Sequence, residues 1–247
     1  MTASEVRPFP SRGQLATDVA AALLERIAAA QSRGEVPHIG LTGGSIAEEI
    51  HAAIARLSAD SEVDWSRVVL WWGDERWLPA GSDDRNEVQA HRAFIDLVGL
   101  DPDNVHVMPP SDAGHSLREA ADAYSATVRE RGAGFFEVLM LGIGPDGHVA
   151  SLFPGHPAAV VPDAIVVPVE ESPKPPPERL SLTFEAMERS NAVWFVAAGA
   201  DKADAVARAL TGPAAPGSPE AVECPARVPR GTVETIWWLD DAAAPQR

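Results

Sequence analysis

Short apolar runs alternating with stretches of 3.6-residue periodicity predict an α/β fold built on a mostly parallel sheet. Three observations carry this reading: strand and helix patterns alternate from residue 36 to residue 143, a final strand–helix–strand unit follows residue 192, and several apolar runs end in glycine-rich turns that open the next helix. Such alternation places helices on both faces of the sheet. A length of 247 residues suits one α/β domain over 1–247.

Apolar spacing predicts an amphipathic helix over 14–30, stopped at Gly34. A strand is expected over 36–41, a helix over 45–57, a strand over 68–72 and a helix over 87–98. Next come a strand over 105–108, a helix over 117–131 and the most apolar strand, 138–143. After Pro154 the pattern loosens: 164–169 reads as a strand, 172–177 as a proline-rich loop, and 180–187 fits either strand or helix. The chain closes with a strand over 193–198, a helix over 201–210, a Pro/Gly-rich loop over 211–219 and a strand over 232–239. That late loop and the two termini are the segments expected to be disordered.

Composition narrows the function. A formal net charge of −16 argues against a nucleic-acid partner, whose phosphates require a basic footprint. No apolar run approaches the ~20 residues of a membrane span, and residues 1–10 show no apolar leader segment, so no membrane association and a cytoplasmic location are expected. Cys224 is the sole cysteine, which leaves neither an internal disulfide nor a thiolate metal cluster. An anion site on so acidic a chain has to be built locally. Eighteen of the twenty basic residues are Arg, which draws attention to the two lysines, Lys174 and Lys202.

Open parallel sheets bind ligands beyond the carboxyl ends of their strands, so the loops there hold the candidates. Thr42-Gly43-Gly44-Ser45 joins a strand to a helix and could cradle an anion on free N–H groups, or be a plain turn with Ser45 as N-cap. In Gly73-Asp74-Glu75-Arg76-Trp77 three charges end an apolar strand, which fits a cleft wall; a salt-bridged turn is the alternative. Asp83, Asp84, Arg85 and Asn86 read as the start of the next helix, with Asp84 or Asn86 as caps.

His148 lies in Gly142-Ile143-Gly144-Pro145-Asp146-Gly147-His148, followed by a Phe153-Pro154 lid. Imidazole exchanges protons near neutral pH, so His148 is the candidate general base, with Asp146 a candidate to orient it. No second ligand stands at metal-binding spacing from it. Lys174 and Arg179 flank prolines 175–177, and Lys202 opens a helix where its charge opposes the dipole unless an anion lies near.

The Gly-Gly-Ser turn, Gly-Asp-Glu-Arg, the Leu-Gly-Ile-Gly-Pro-Asp-Gly-His-Val-Ala-Ser-Leu-Phe-Pro run at 141–154 and Pro-Lys-Pro-Pro-Pro-Glu-Arg at 173–179 together resemble the 6-phosphogluconolactonases. The likeness runs nearly the whole chain in the family's order. It implies a three-layer modified Rossmann fold of the sugar-phosphate isomerase/deaminase type, without metal or cofactor, in a monomer or weak homodimer. The implied reaction is hydrolysis of 6-phospho-D-glucono-1,5-lactone, a sugar phosphate, to 6-phosphogluconate in the oxidative pentose phosphate pathway. By the same resemblance Gly43, Gly44, Ser45, Arg179 and Lys202 would hold the 6-phosphate. Asp74, Arg76 and Lys174 would line the sugar pocket, Asp74 and Arg76 with catalytic parts, and His148 would be the base. One departure is Ile46-Ala47, where the family has Thr-Pro.

Two rivals share this pattern. Glucosamine-6-phosphate deaminases carry the Asp-Gly-His core but place a glutamate shortly after the histidine, where this chain has Phe153. A sugar-phosphate sensor would reuse the fold beside a DNA-binding segment, for which neither terminus has the length or charge.

Overall fold

The computed structural model describes residues 4–245. In chain order the elements are β1 (Ser4–Phe9), α1 (Arg12–Ser32), β2 (His38–Leu41), α2 (Ser45–Ser58), β3 (Val69–Trp72), β4 (Asp74–Arg76), α3 (Asn86–Ala93) and α4 (Leu117–Arg131). There follow β5 (Phe136–Gly142), β6 (Val166–Val169), β7 (Arg179–Leu182), α5 (Phe184–Met187), β8 (Ser190–Ala197), α6 (Ala203–Ala209), α7 (Pro219–Glu223) and β9 (Glu234–Asp240). Six strands pair in the order β1-β9-β8-β5-β2-β3, every pairing parallel. A separate antiparallel sheet, β4-β7-β6, branches off directly after β3.

The mostly parallel α/β architecture expected from the sequence is therefore present. Every residue of β2 and β3 is buried, so side chains pointing to either face of the sheet are covered. Helix α1 packs on α2 and on β9, and α4 packs on β6 and β7. Phe195 and Trp237 stack at 3.9 Å between ring centroids on neighbouring strands, both fully buried. Burial of each such ring stabilises the fold by roughly 2–3 kcal/mol. Tyr124 on α4 ties the layers: its hydroxyl accepts the Trp72 N–H at 3.1 Å and donates to the His106 carbonyl at 3.1 Å. Among the described residues no helix is long and apolar enough to cross a membrane.

Several sequence expectations are corrected. Residues 4–9, within an expected disordered terminus, form an edge strand on β9; Pro8 and the exposed Glu5 mask a strand whose pairing comes from a distant segment. Segment 105–108 is not a strand: a single bridge joins Val105 to Leu70, and prolines 109 and 110 end the pairing. The helix expected over 87–98 stops at Ala93 and continues as a 3₁₀ turn at Ile95–Leu97. Loop 211–219 is folded back, with Ala214 N–H on the Arg227 carbonyl and Arg227 Nε on the Gly212 carbonyl. The ambiguous 180–187 resolves into most of β7 and α5, split at Thr183, whose hydroxyl caps the helix. Residues 74–76, read as loop, are β4.

His51 on α2 is 2% exposed, packs 5.0 Å from the Phe94 ring and has no hydrogen-bond partner for either ring nitrogen among the described residues. Burial pulls its pKa down to about 4. In the unfolded chain the ring takes up a proton below about pH 6.5, while the folded protein resists protonation to about pH 4. Stability is therefore expected to fall as pH drops through that window, by an amount on the order of 3 kcal/mol. Urea titrations across this range check it: His51→Leu should flatten that part of the pH–stability curve.

Candidate active site

The parallel strands deliver four loops to one edge, where they enclose a cavity of about 320 Å³. Each sequence-predicted site residue lines it except Asp146, which stands behind His148. After β2, Gly44 adopts φ 97° and is the N-cap of α2 without a side-chain bond, so Ser45 is the first helical residue rather than the cap. The N–H groups of the first turn thus face the cavity's Gly43-Gly44-Ser45 rim without intrahelical partners. Gly43 allows a close approach: a Cβ there would fall on the Asn86 side chain.

Directly after β3, Asp74 opens β4. Its carboxylate accepts the Ser151 hydroxyl at 2.6 Å, and its carbonyl accepts from Asn86 Nδ2 at 2.9 Å. The fully buried Ser151 follows the His148 turn, so this bond ties two site loops together. Beneath them, the buried Glu75 accepts the backbone N–H groups of Arg76, Asn86 and Glu87 at 2.8–2.9 Å, anchoring β4 to the start of α3. Burial pushes its carboxyl up to about 7, against the pull of Arg85 and those three donors. Arg76 donates to the Asp84 carbonyl at 2.7 Å through Nη1, and its buried Nε has no partner among the described residues.

The turn after β5 carries the central pair. Gly147 N–H donates to the Gly144 carbonyl at 2.9 Å and Gly144 N–H to the His148 carbonyl at 3.0 Å, closing a tight loop with Gly147 at φ 94°. His148 Nδ1 lies 2.5 Å from Asp146 Oδ1, and the Phe153 ring sits 4.6 Å from the imidazole. Lys174 Nζ is 3.3 Å from the same carboxylate oxygen and 3.2 Å from Nδ1. An ammonium has no lone pair, and a carboxylate no proton, so the consistent arrangement is Nδ1–H donating to Asp146 with Lys174 as a second donor to that oxygen. Nε2 then keeps its lone pair and has no protein partner among the described residues. Burial pushes the Asp146 carboxyl up, but the His148 hydrogen bond, the charge His148 carries once protonated and the charge of Lys174 outweigh it, holding it well below its ordinary value.

Arg179 is engaged with the proline loop: Nε donates to the Pro176 carbonyl at 3.2 Å and Nη2 to those of Lys174 and Pro175 at 3.2 and 3.0 Å. Its guanidinium lies 5.6 Å from the Phe153 ring. It still lines the cavity, and so shapes the loop that carries Lys174 as well as facing the ligand space. Lys202 closes a 3₁₀ turn at Ala200–Lys202, just before α6, with Nζ 3.1 Å from Asp201 Oδ2. Sequence reasoning read Asn86 only as a possible cap and gave Ser151 no part. Asn86 lines the cavity with a buried Oδ1 that has no partner among the described residues, and both residues become visible only when β4 is folded against the other loops.

Comparison with known proteins now bears on this site. The family model described as glucosamine-6-phosphate isomerases/6-phosphogluconolactonase matches residues 10–238. The chain belongs to this family. It is 45% identical over 241 residues to a 6-phosphogluconolactonase of Streptomyces coelicolor, covering 94% of this chain and 90% of that protein. Identity to a 6-phosphogluconolactonase of Mycobacterium leprae is 42% over 229 residues, covering 90% of each. The crystal structure of a 6-phosphogluconolactonase from Thermotoga maritima superposes with a TM-score of 0.82 over 96% of this chain and 100% of that one; at 23% identity it establishes the shared fold.

Two outcomes follow from the His148 turn. A Cβ on Gly144 would overlap His148 Nδ1 and Cε1, so Gly144→Ala should displace the ring and lower kcat/KM at least about 100-fold, measured beside a thermal melt to separate positioning from unfolding. The depressed Asp146 pKa stabilises the fold above the unfolded value of 3.8 and is lost as pH falls below it. Acid titrations of stability should therefore be shallower below about pH 4 in Asp146→Asn than in the wild type.

Proposed function

We propose that the chain hydrolyses 6-phospho-D-glucono-1,5-lactone to 6-phosphogluconate, using a water activated by His148 and a clamp on the 6-phosphate. The observation that carries this is the 2.5 Å His148–Asp146 contact, which leaves Nε2 as the free base in a cavity rimmed by helix N–H donors and cations. Identities of 42–45% to 6-phosphogluconolactonases support the reaction.

His148 Nε2 takes a proton from water as its oxygen attacks the lactone C1 carbonyl. The imidazolium that forms is stabilised by Asp146 through Nδ1–H. Negative charge develops on the carbonyl oxygen; Arg76 lines the cavity and, unlike Lys174, is not paired with Asp146, which supports it as the donor to that oxygen. Collapse of the tetrahedral intermediate breaks the C1–ring oxygen bond, and His148 returns its proton to the departing oxygen. The first turn of α2 with Lys202 and Arg179 would hold the phosphate, which does not react, so its binding serves to fix C1 beside His148. Asp74, locked by Ser151, would accept from a sugar hydroxyl.

Deamination of glucosamine 6-phosphate is the other chemistry within the family's description. The buried Phe153 against the His148 ring argues against it, since the resemblance puts the deaminases' ring-opening glutamate at that position. A coupled assay decides: lactone is generated in place by glucose-6-phosphate dehydrogenase and its hydrolysis followed with 6-phosphogluconate dehydrogenase. Turnover well above spontaneous opening is expected, with His148→Ala reducing kcat by about 10²–10⁴-fold while 6-phosphogluconate still raises the melting temperature. Ammonia release from glucosamine 6-phosphate without lactonase turnover would overturn the proposal.

A further inference from the structure

A second cavity, of about 210 Å³, opens at the opposite end of the sheet, where β2 and β5 begin. Its walls are apolar: Trp71, Val128, Phe136, Ile165 and Ala186 contribute to them. That volume suits one ring, since an engineered apolar cavity of ~150 Å³ accepts benzene.

Polar groups occupy two levels of it. The buried His38, 8% exposed, accepts the Trp71 indole N–H at Nδ1 over 3.0 Å. Burial, with a smaller contribution from the charge of His106, draws its pKa down to about 4, so near neutral pH the ring is uncharged with its single proton on Nε2. That N–H has no partner among the described residues. At the exposed level stand Arg129 and Arg189. Arg189 has a solvent-exposed ion pair with Glu185 at 3.0 Å, while Arg129 has no ion pair among the described residues. Two cations beside one apolar cavity stand out on a chain of net charge −16.

We infer that this cavity is a binding site for a small amphipathic carboxylate: a one-ring apolar body, an acceptor oxygen at His38 and the carboxylate at Arg129 and Arg189. The inference is independent of the reaction at His148, because the two cavities share no lining residue. Neutral ligands lose the arginine contacts, and purely aliphatic ones leave the His38 N–H unpaired. A charged phosphate sugar lacks the apolar body these walls require.

The probe is 4-hydroxybenzoate, titrated into the full chain by calorimetry and followed by saturation-transfer NMR. Saturable binding with Kd of about 1 mM or tighter is expected, about tenfold weaker for phenol and about tenfold weaker in the Arg129→Ala/Arg189→Ala double variant. Saturating 6-phosphogluconate should leave it unchanged. Val128→Trp, which fills the cavity, should abolish binding; both arginines are exposed, so the double variant gives a reading even if that variant fails to fold. Absence of saturable binding, displacement by 6-phosphogluconate, or undiminished affinity in the double arginine variant would each overturn the assignment.

Discussion

The six strands of the large sheet all run one way, and this shared direction is the constraint on which the site depends. In a parallel sheet every strand must end at the same edge, so residues as far apart in sequence as Gly43 and Lys202 meet without a dedicated scaffold. The Gly43-Gly44 turn, Asp74, the His148 turn and Lys202 follow β2, β3, β5 and β8, four consecutive strands of the sheet. The small antiparallel sheet adds what parallel strands cannot. By turning back at Gly73, the chain pairs Asp74 with Ser181 and Arg76 with Arg179, carrying two further charged residues to the same mouth.

Charge at the site runs against the field of the whole molecule. Arg76, Lys174, Arg179 and Lys202 converge on one cavity of a protein with net charge −16. Two of these cations are paired with neighbouring carboxylates: Lys174 with Asp146 and Lys202 with Asp201. Such pairing would keep the ammonium groups in place before the proposed phosphate arrives, which would reduce the ordering cost of binding. The same pairing makes Asp146 a shared acceptor, so the carboxylate that orients the imidazole also fixes the lysine. Cys224, the sole cysteine, has a packing role: it is buried directly behind Gly147, where a Cβ would meet its sulfur at 2.9 Å.

The central strands and most helices were legible because their signals are local: β5 is apolar without interruption from Val138 to Leu141, and α4 is capped by Ser116 with Glu119 completing a capping box. What escaped was non-local. Strand β1 has too little apolar pattern of its own and exists through β9, while β4 reads as a charged loop until β7 lies beside it. At the site, His148, Lys174 and Lys202 stood out by residue type and setting. Ser151 and Asn86 did not, since a serine among small residues or an asparagine at a helix start looks ordinary; their importance comes from bonds to Asp74 across 77 and 12 residues. Arg85 was passed over for the same reason, although its guanidinium is fully buried and bonds Glu87 and the carbonyls of Arg76, Leu78 and Met108.

The orientation of the His148 ring ties these strands of evidence together, because only one tautomer leaves a base facing the ligand space. Long-range ¹H–¹⁵N correlation of the neutral ring reads it directly. The Asp146 contact requires the proton on Nδ1 and a bare Nε2, with that assignment lost in Asp146→Asn. A neutral ring protonated on Nε2 in the wild type would contradict the arrangement and remove His148 as the group that activates water.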